Sequence, residues 1–174
     1  PDAGGGTWAT AVSSYNVGIG TNVMDAAMNG ALYNTAIGYK AGSDLTEGDQ
    51  NTLIGASAGE NITTADKNIC IGESSGFYNA TGDNNKYVGT SAGQGASGQS
   101  NSGNTAVGKS ALLSVTTGGP NVVVGASAGD AITIGTYNVA IGYNALTTET
   151  IGDRTTAIGD HCLFSQLSNS NNED

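Results

Sequence analysis

Asn34-Thr35-Ala36-Ile37-Gly38-Tyr39-Lys40-Ala41-Gly42 is written again, little changed, as Asn138-Val139-Ala140-Ile141-Gly142-Tyr143-Asn144-Ala145-Leu146. Its Ile/Val-Gly anchor occurs nine times, at Gly20, Gly38, Gly55, Gly72, Gly89, Gly108, Gly125, Gly142 and Gly159, at intervals of 18, 17, 17, 17, 19, 17, 17 and 17. A period this short and this regular is the mark of stacked repeats, each too small to bury a core alone. Seventeen residues hold two short strands and two turns but not a helix and two strands. The spacing therefore predicts an all-β fold, a β-solenoid (β-roll or β-helix) of about nine coils over residues 15–164, roughly 43 Å long at ~4.8 Å per coil. Residues 1–14, with Gly4-Gly5-Gly6 and Trp8, read as an N-terminal joint and cap. Residues 165–174 read as a polar tail.

Each column of the repeat has a physical reading. The residue before the anchor glycine is Ile19, Ile37, Ile54, Ile71, Val88, Val107, Val124, Ile141 or Ile158. β-Branched side chains suit a pleated strand, and this column is expected to be the buried core ladder. Four residues before the glycine stand Asn16, Asn34, Asn51, Asn68, Asn85, Asn104, Asn121 and Asn138, replaced by Thr155 in the last repeat. Amides at one place in successive coils predict a hydrogen-bonded Asn ladder. The glycine permits a corner with positive φ. Small residues three positions later (Ala41, Ala58, Ser75) allow close approach at the next turn.

Alternation along the strand puts Ala36, Leu53, Cys70, Tyr87, Ala106, Val123, Ala140 and Ala157 on the face opposite the Ile/Val column. No charge stands there, and Lys86 is the only charge between the Asn and Gly columns. A strand apolar on both faces is normally covered on both. This second face is accordingly expected to be an oligomer interface, burying itself around the axis of a cyclic oligomer. The rest of the coil, such as Ser43 to Gln50, is polar and reads as the solvent wall. It carries a column of Thr46, Thr63, Thr116, Thr133 and Thr150, better explained by the tolerance of Thr for an exposed strand than by ice binding.

Composition narrows the function classes. Charged residues are 11% against an average near 25%, and Gly is 28 of 174 residues with only 2 Pro. A net charge of −10 repels phosphate backbones, so nucleic acid is not an expected partner. No run of 18 apolar residues predicts a membrane span. His161 is the only histidine, so no His-based triad or metal cluster can be assembled. Asp44, Glu47 and Asp49 share one loop and read as a solvated acidic turn rather than a calcium site. Cys70 and Cys162 lie five coils apart, too far for a disulfide. The expectation is a non-enzyme without catalytic, metal or cofactor-binding residues.

The motif resembles two related groups. One is the Asn-Thr-Ala-Ile-Gly-Tyr-x-Ala repeat region of bacteriophage tail fibres. The other is the β-roll head of trimeric autotransporter adhesins, with its Asn-Ser-Val-Ala-Ile-Gly motif. The likeness covers about residues 15–164. The longer period and an Asn one residue nearer the glycine favour the fibre. The resemblance implies a trimer of left-handed or interwound coils, located on a virion appendage or cell surface. It implies a structural and adhesive fibre segment that displays or contributes host-receptor binding. Partners would be copies of the chain, neighbouring fibre segments, and a host-surface glycan or protein. A bacterial adhesin head or extracellular filament subunit is the alternative; a polysaccharide-cleaving tailspike fits less well, its coils being longer and less regular.

Overall fold

The computed structural model describes residues 13–165. The joint and cap expected over 1–14 and the tail expected over 165–174 lie, but for Ser13, Ser14 and Ser165, outside the described residues. Among the described residues nine three-residue strands follow in order, one per coil rather than the expected two: β1 (Val17–Ile19), β2 (Thr35–Ile37), β3 (Thr52–Ile54), β4 (Ile69–Ile71), β5 (Lys86–Val88), β6 (Thr105–Val107), β7 (Val122–Val124), β8 (Val139–Ile141) and β9 (Thr156–Ile158). They form one parallel sheet in sequence order. Every pair is in repeat register, Ile37 beside Ile54 and Ile54 beside Ile71. The chain is thus a β-solenoid with a period of about 17 residues, as its spacing predicts; the coils are numbered by their strands.

Between strands the coil runs through turns that also stack. The Gly42 N–H donates to the Ala58 carbonyl at 3.0 Å and the Asp44 N–H to the Glu60 carbonyl at 3.0 Å. The Thr column serves the same stacking. Thr46, Thr63, Thr116 and Thr133 each donate their hydroxyl to the carbonyl one coil on, at 2.9–3.1 Å. Hydroxyls committed to backbone carbonyls present no free polar lattice, which gives the column a structural role. The anchor glycine is required at the corner. Gly38 sits at φ +133, and a Cβ there would stand 2.4 Å from the Gly55 carbonyl oxygen. The longer intervals are absorbed outside the sheet. In coil 1 the extra residue falls between Ala26 and Asn29, which still pair with Ser43 and Thr46; Ala27 is exposed and Met28 turns inward.

The interior reverses the expected assignment of the strand faces. Ala36, Leu53, Cys70, Tyr87, Ala106, Val123, Ala140 and Ala157 are fully buried within the single chain. They form the core and cannot be an oligomer face. Ile19, Ile71, Val88, Val107, Ile141 and Ile158 are exposed, and Ile37, Ile54 and Val124 are half-buried. They form the outer face of the sheet, not the core ladder. Volume explains the reversal. A coil of 17 residues encloses a narrow interior whose other walls already carry the Ala41/Ala58 column and the larger Leu45, Ile62, Val115 and Ile132. Small side chains fit opposite them, and β-branched ones are left to the outer surface. The half of the coil read as a solvent wall therefore contributes its own inward column.

The core balances volume coil by coil. The position four after the anchor glycine is Gly where the inward strand residue is large. A Cβ on Gly93 would stand 2.4 Å from the Tyr87 ring, and one on Gly76 2.5 Å from Cys70 Sγ. Where the strand carries Ala106 or Ala140, the same position is Leu112 or Leu146, both fully buried. Ala36 with Gly42 departs from the pattern because Leu53 of the next coil fills the gap, its Cδ1 2.7 Å from where a Gly42 Cβ would stand.

Candidate interaction face

Two sets of residues were singled out by pattern as more than packing: the Asn column and the uncharged strand face. The Asn ladder is present and belongs to the interior. Each later Asn donates its backbone N–H to the Oδ1 of the one before: Asn34 to Asn16, Asn51 to Asn34, Asn68 to Asn51, Asn85 to Asn68, Asn104 to Asn85, Asn121 to Asn104 and Asn138 to Asn121, at 2.8–2.9 Å. Thr155 ends the run on Asn138 Oδ1. The amide nitrogens cross the interior to the far corner of the same coil, as in Asn34 Nδ2 to the Gly48 carbonyl at 2.7 Å and Asn121 Nδ2 to the Gly135 carbonyl at 2.9 Å. Buried amides must be satisfied in this way, and among the described residues no buried side-chain polar atom lacks a partner.

A second ladder escaped the sequence reading. Asp49, Asp66 and Asp83 stand two residues before Asn51, Asn68 and Asn85. Asp49 Oδ1 accepts the Leu32 N–H at 2.6 Å, Asp66 Oδ1 the Asp49 N–H at 2.7 Å, and Asp83 Oδ1 the Asp66 N–H at 2.7 Å. The Asp-x-Asn spacing was its signal. Two polar residues also replace apolar ones in the inward column of the polar half. Asn79 donates to the Gly82 carbonyl at 2.8 Å and accepts the Asn101 N–H at 3.1 Å. Glu149, fully buried, accepts the Gly152 N–H at 2.7 Å.

The parts considered for chemistry serve the stack or the surface. Asp44 accepts from the Ser43 hydroxyl, Glu47 from the Asn29 amide, and Asp49 from Leu32, so the three acids of that loop are turned to separate partners. His161 is exposed, with Nδ1 2.9 Å from Asp160 Oδ1 and Nε2 3.3 Å from Asn144 Nδ2, beside the Tyr143 and Phe164 rings. Among the described residues no three His, Cys, Asp or Glu side chains are grouped to hold a metal ion. No helix in them is long and apolar enough to cross a membrane. Cys70 and Cys162 are free thiols. Burial pushes the Cys70 thiol up to about 12. Tyr87 above it is raised chiefly by burial, its hydroxyl bonded to Asn85 and Asn101.

Among the described residues, what the fold leaves unpartnered is the outer face of the sheet. Along all nine strands it presents two columns. One is the Ile/Val column. The other is Val17, Thr35, Thr52, Ile69, Lys86, Thr105, Val122, Val139 and Thr156, with Lys86 its only charge. Exposed Tyr33 and Tyr137 precede the strands, and exposed Tyr39 and Tyr143 follow them. Nine strands at ~4.8 Å and three residues at ~3.3 Å per residue give roughly 430 Å². Soluble monomers rarely expose contiguous apolar patches above a few hundred Å², and aromatic residues without charge typify the centre of protein interfaces.

Comparisons with family models, with curated proteins and with solved structures return no match.

Proposed function

We propose that the chain is a structural and adhesive segment of a virion tail fibre. In this reading it is a stiff rod that associates with copies of itself through the outer sheet face, as a homotrimer, and holds host-binding surfaces at a fixed distance. The observation that carries it is the β-branched face, interrupted only by Lys86, that runs through nine coils of a chain whose net charge is −10. Acidic side chains such as Asp44, Glu47 and Asp83 stand in the turns, where they keep a self-associated rod soluble. The likeness of Asn34 to Gly42 to tail-fibre repeats gives the reading its setting. Stacked parallel coils with internal Asn and Asp ladders supply the stiffness such a segment needs. The turns, rather than the sheet, are left to meet a host-surface glycan or protein.

Light scattering on the purified chain at micromolar concentration tests the association. A mass near three times 17.2 kDa supports it, and a mass of one chain contradicts it. Retention of labelled chain on intact bacterial cells, competed by their extracted surface polysaccharide, tests the adhesive role.

A further inference from the structure

Asn29-Gly30 is the only asparagine–glycine pair in the chain, and it stands where coil 1 departs from the other coils. With the extra residue absorbed beside it, Asn29 takes the place that the Thr column holds elsewhere, its N–H donating to the Thr46 carbonyl at 2.7 Å. Asn29 is exposed and Gly30 half-buried. The Asn29 amide Nδ2 donates across to Glu47 Oε1 at 3.2 Å. Gly30 holds φ +97, a conformation glycine adopts freely, and no side chain shields its nitrogen. Its N–H donates to the Ser13 hydroxyl at 3.0 Å rather than to a backbone carbonyl. The other asparagines are placed differently. The residues after the ladder asparagines carry side chains beyond Cα, and their nitrogens are committed to the stack. Thr35 donates to the Asn51 carbonyl and Thr52 to the Asn68 carbonyl, both at 2.8 Å. Exposed Asn84 is followed by Asn85, whose N–H is held by Asn68 Oδ1 at 2.9 Å.

We propose that Asn29 is a site of spontaneous deamidation, with water as co-reactant, and that the reaction loosens coil 1 as the protein ages. The Gly30 nitrogen gives up its proton and attacks Asn29 Cγ. The N–Cγ bond forms, the Cγ–Nδ2 bond breaks, and Nδ2 leaves as ammonia with a proton taken from solvent. Water then opens the cyclic imide at either of its carbonyl carbons. Cleavage of the new N–Cγ bond leaves an aspartate at position 29. Cleavage of the bond to the former backbone carbonyl leaves isoaspartate, with the chain running through Cβ and Cγ. Neither route transfers electrons, and each makes the net charge of −10 more negative by one. Both products remove the Nδ2 donor and add a carboxylate to a level that already holds Glu47 and Asp49. A cross-coil hydrogen bond thereby gives way to like-charge repulsion. Isoaspartate also lengthens the backbone by one carbon between the Asn29 N–H on the Thr46 carbonyl and the Leu32 N–H on Asp49 Oδ1, so the two bonds lose their common register with coil 2. The Asn ladder from Asn34 onward is untouched. The inference does not depend on how the outer face associates.

Peptide mapping by mass spectrometry tests the site on the full chain, aged at about pH 8 and about pH 5 in water enriched in heavy oxygen. The expected result is replacement of the Asn29 amide by labelled carboxylate, as both aspartate and isoaspartate. It should run faster at the higher pH, because imide closure needs the Gly30 nitrogen deprotonated, and at least tenfold faster than at Asn84 or any ladder asparagine. A synthetic peptide of residues 25–32 supplies the rate of the unfolded segment. Asn29 that stays intact while the peptide is consumed, or that reacts no faster than Asn84, overturns the site. Hydrogen exchange tests the consequence on the aged chain and on folded Asn29→Asp. The amides of Asn29 and Leu32 should exchange about tenfold faster than in the fresh chain, as expected of local opening, while those of Asn51 and Asn85 keep their protection. Unchanged exchange at Asn29 and Leu32 in the aged chain overturns the loosening.

Discussion

The coil-by-coil balance of core volume can be tested by transplanting one coil's solution into another. Coil 6 pairs Ala106 with Leu112, and coil 7 pairs Val123 with Gly129; apart from Gly129, these residues are fully buried hydrophobic side chains. In coil 7 a Cβ on Gly129 would lie 3.0 Å from Ile132 Cδ1 and 3.4 Å from both Val123 methyls, so the valine, with Ile132, occupies the space that Leu112 fills in coil 6. Leu112→Gly deletes a buried isobutyl group, costing about 3–4 kcal/mol by large-to-small precedent. About 1 kcal/mol returns, because Leu112 holds φ +54, a left-handed conformation that strains an L-residue. Ala106→Val alone crowds the intact leucine and costs about 1–3 kcal/mol. Independent effects would sum to about 5 kcal/mol. If the valine fills the vacated space, the double variant stays within about 1–2 kcal/mol of the parent, a coupling in the range seen between residues in contact. At about 2–4 °C per kcal/mol for a chain of this size, thermal unfolding followed by circular dichroism separates the cases. A double variant whose midpoint falls by the sum of the single losses refutes the volume-exchange account.

Asn68→Ala leaves the buried Asn85 N–H without its acceptor, whereas the Gly82 carbonyl keeps the Asn79 amide. At about 1–3 kcal/mol per buried unsatisfied group, the loss should be about 1–3 kcal/mol in urea unfolding; a change below about 0.5 kcal/mol would deny the ladder its role. Alkaline pH should weaken the central coils. Cys70, raised from 9.0 to about 12, and Tyr87, raised above 10.0, hold their protons more tightly folded than unfolded. Their contribution is complete below the unfolded values and is lost as pH rises through the window above about 9, worth about 4 kcal/mol for Cys70 by pH 12. Melting midpoints from pH 7 to 11 should fall above pH 9, and less steeply in Cys70→Ala; a flat profile contradicts the burial of both groups. Asp130 is raised mainly by burial, so the folded state favours its neutral form and that contribution fades as pH rises above about 4. Asp130→Asn should therefore raise the midpoint slightly at pH 7, and a lowered midpoint would point to a compensating contact.

The number of repeats, their stacking order and their register were legible because each rests on one-dimensional spacing; the second strand expected in each coil is a run of turns instead. The Ile-Gly intervals place β1 to β9 without reference to what lies inside. The Asn ladder was legible for the same reason, a polar residue recurring where only stacking can use it. Which face is inward was not read correctly, because hydrophobicity alone ranks Ile71 above Cys70 and Ile141 above Ala140. Volume reverses that ranking in a narrow coil. The sequence did hold the deciding clue. Asn68 and Cys70 share a face by alternation, and an amide ladder closed on backbone carbonyls belongs to the dry interior, so its neighbours in phase are interior too. Buried Glu149 and Asn79 were not legible in the same way. They replace Leu and Ile in a column whose inward orientation emerges only from the path of the turns, and their acceptors satisfy N–H groups specific to their own coils.

Which side of the strand is outward, and what that side does, are tested at once by the native mass of folded Ile71→Asp. Ile71 lies on the outer face in the middle of the sheet, beside Ile54 and Val88. An aspartate there stays hydrated in an isolated coil but places unpaired charges in a self-associated face, where burying each costs several kcal/mol. The variant is expected to keep the parent's β circular dichroism and to sediment as one chain of 17.2 kDa, under conditions in which the parent is a multiple of that mass. Loss of the β signal would return Ile71 to the core and contradict the fold assignment. A folded variant with the parent's multimeric mass would contradict the outer face as the site of association.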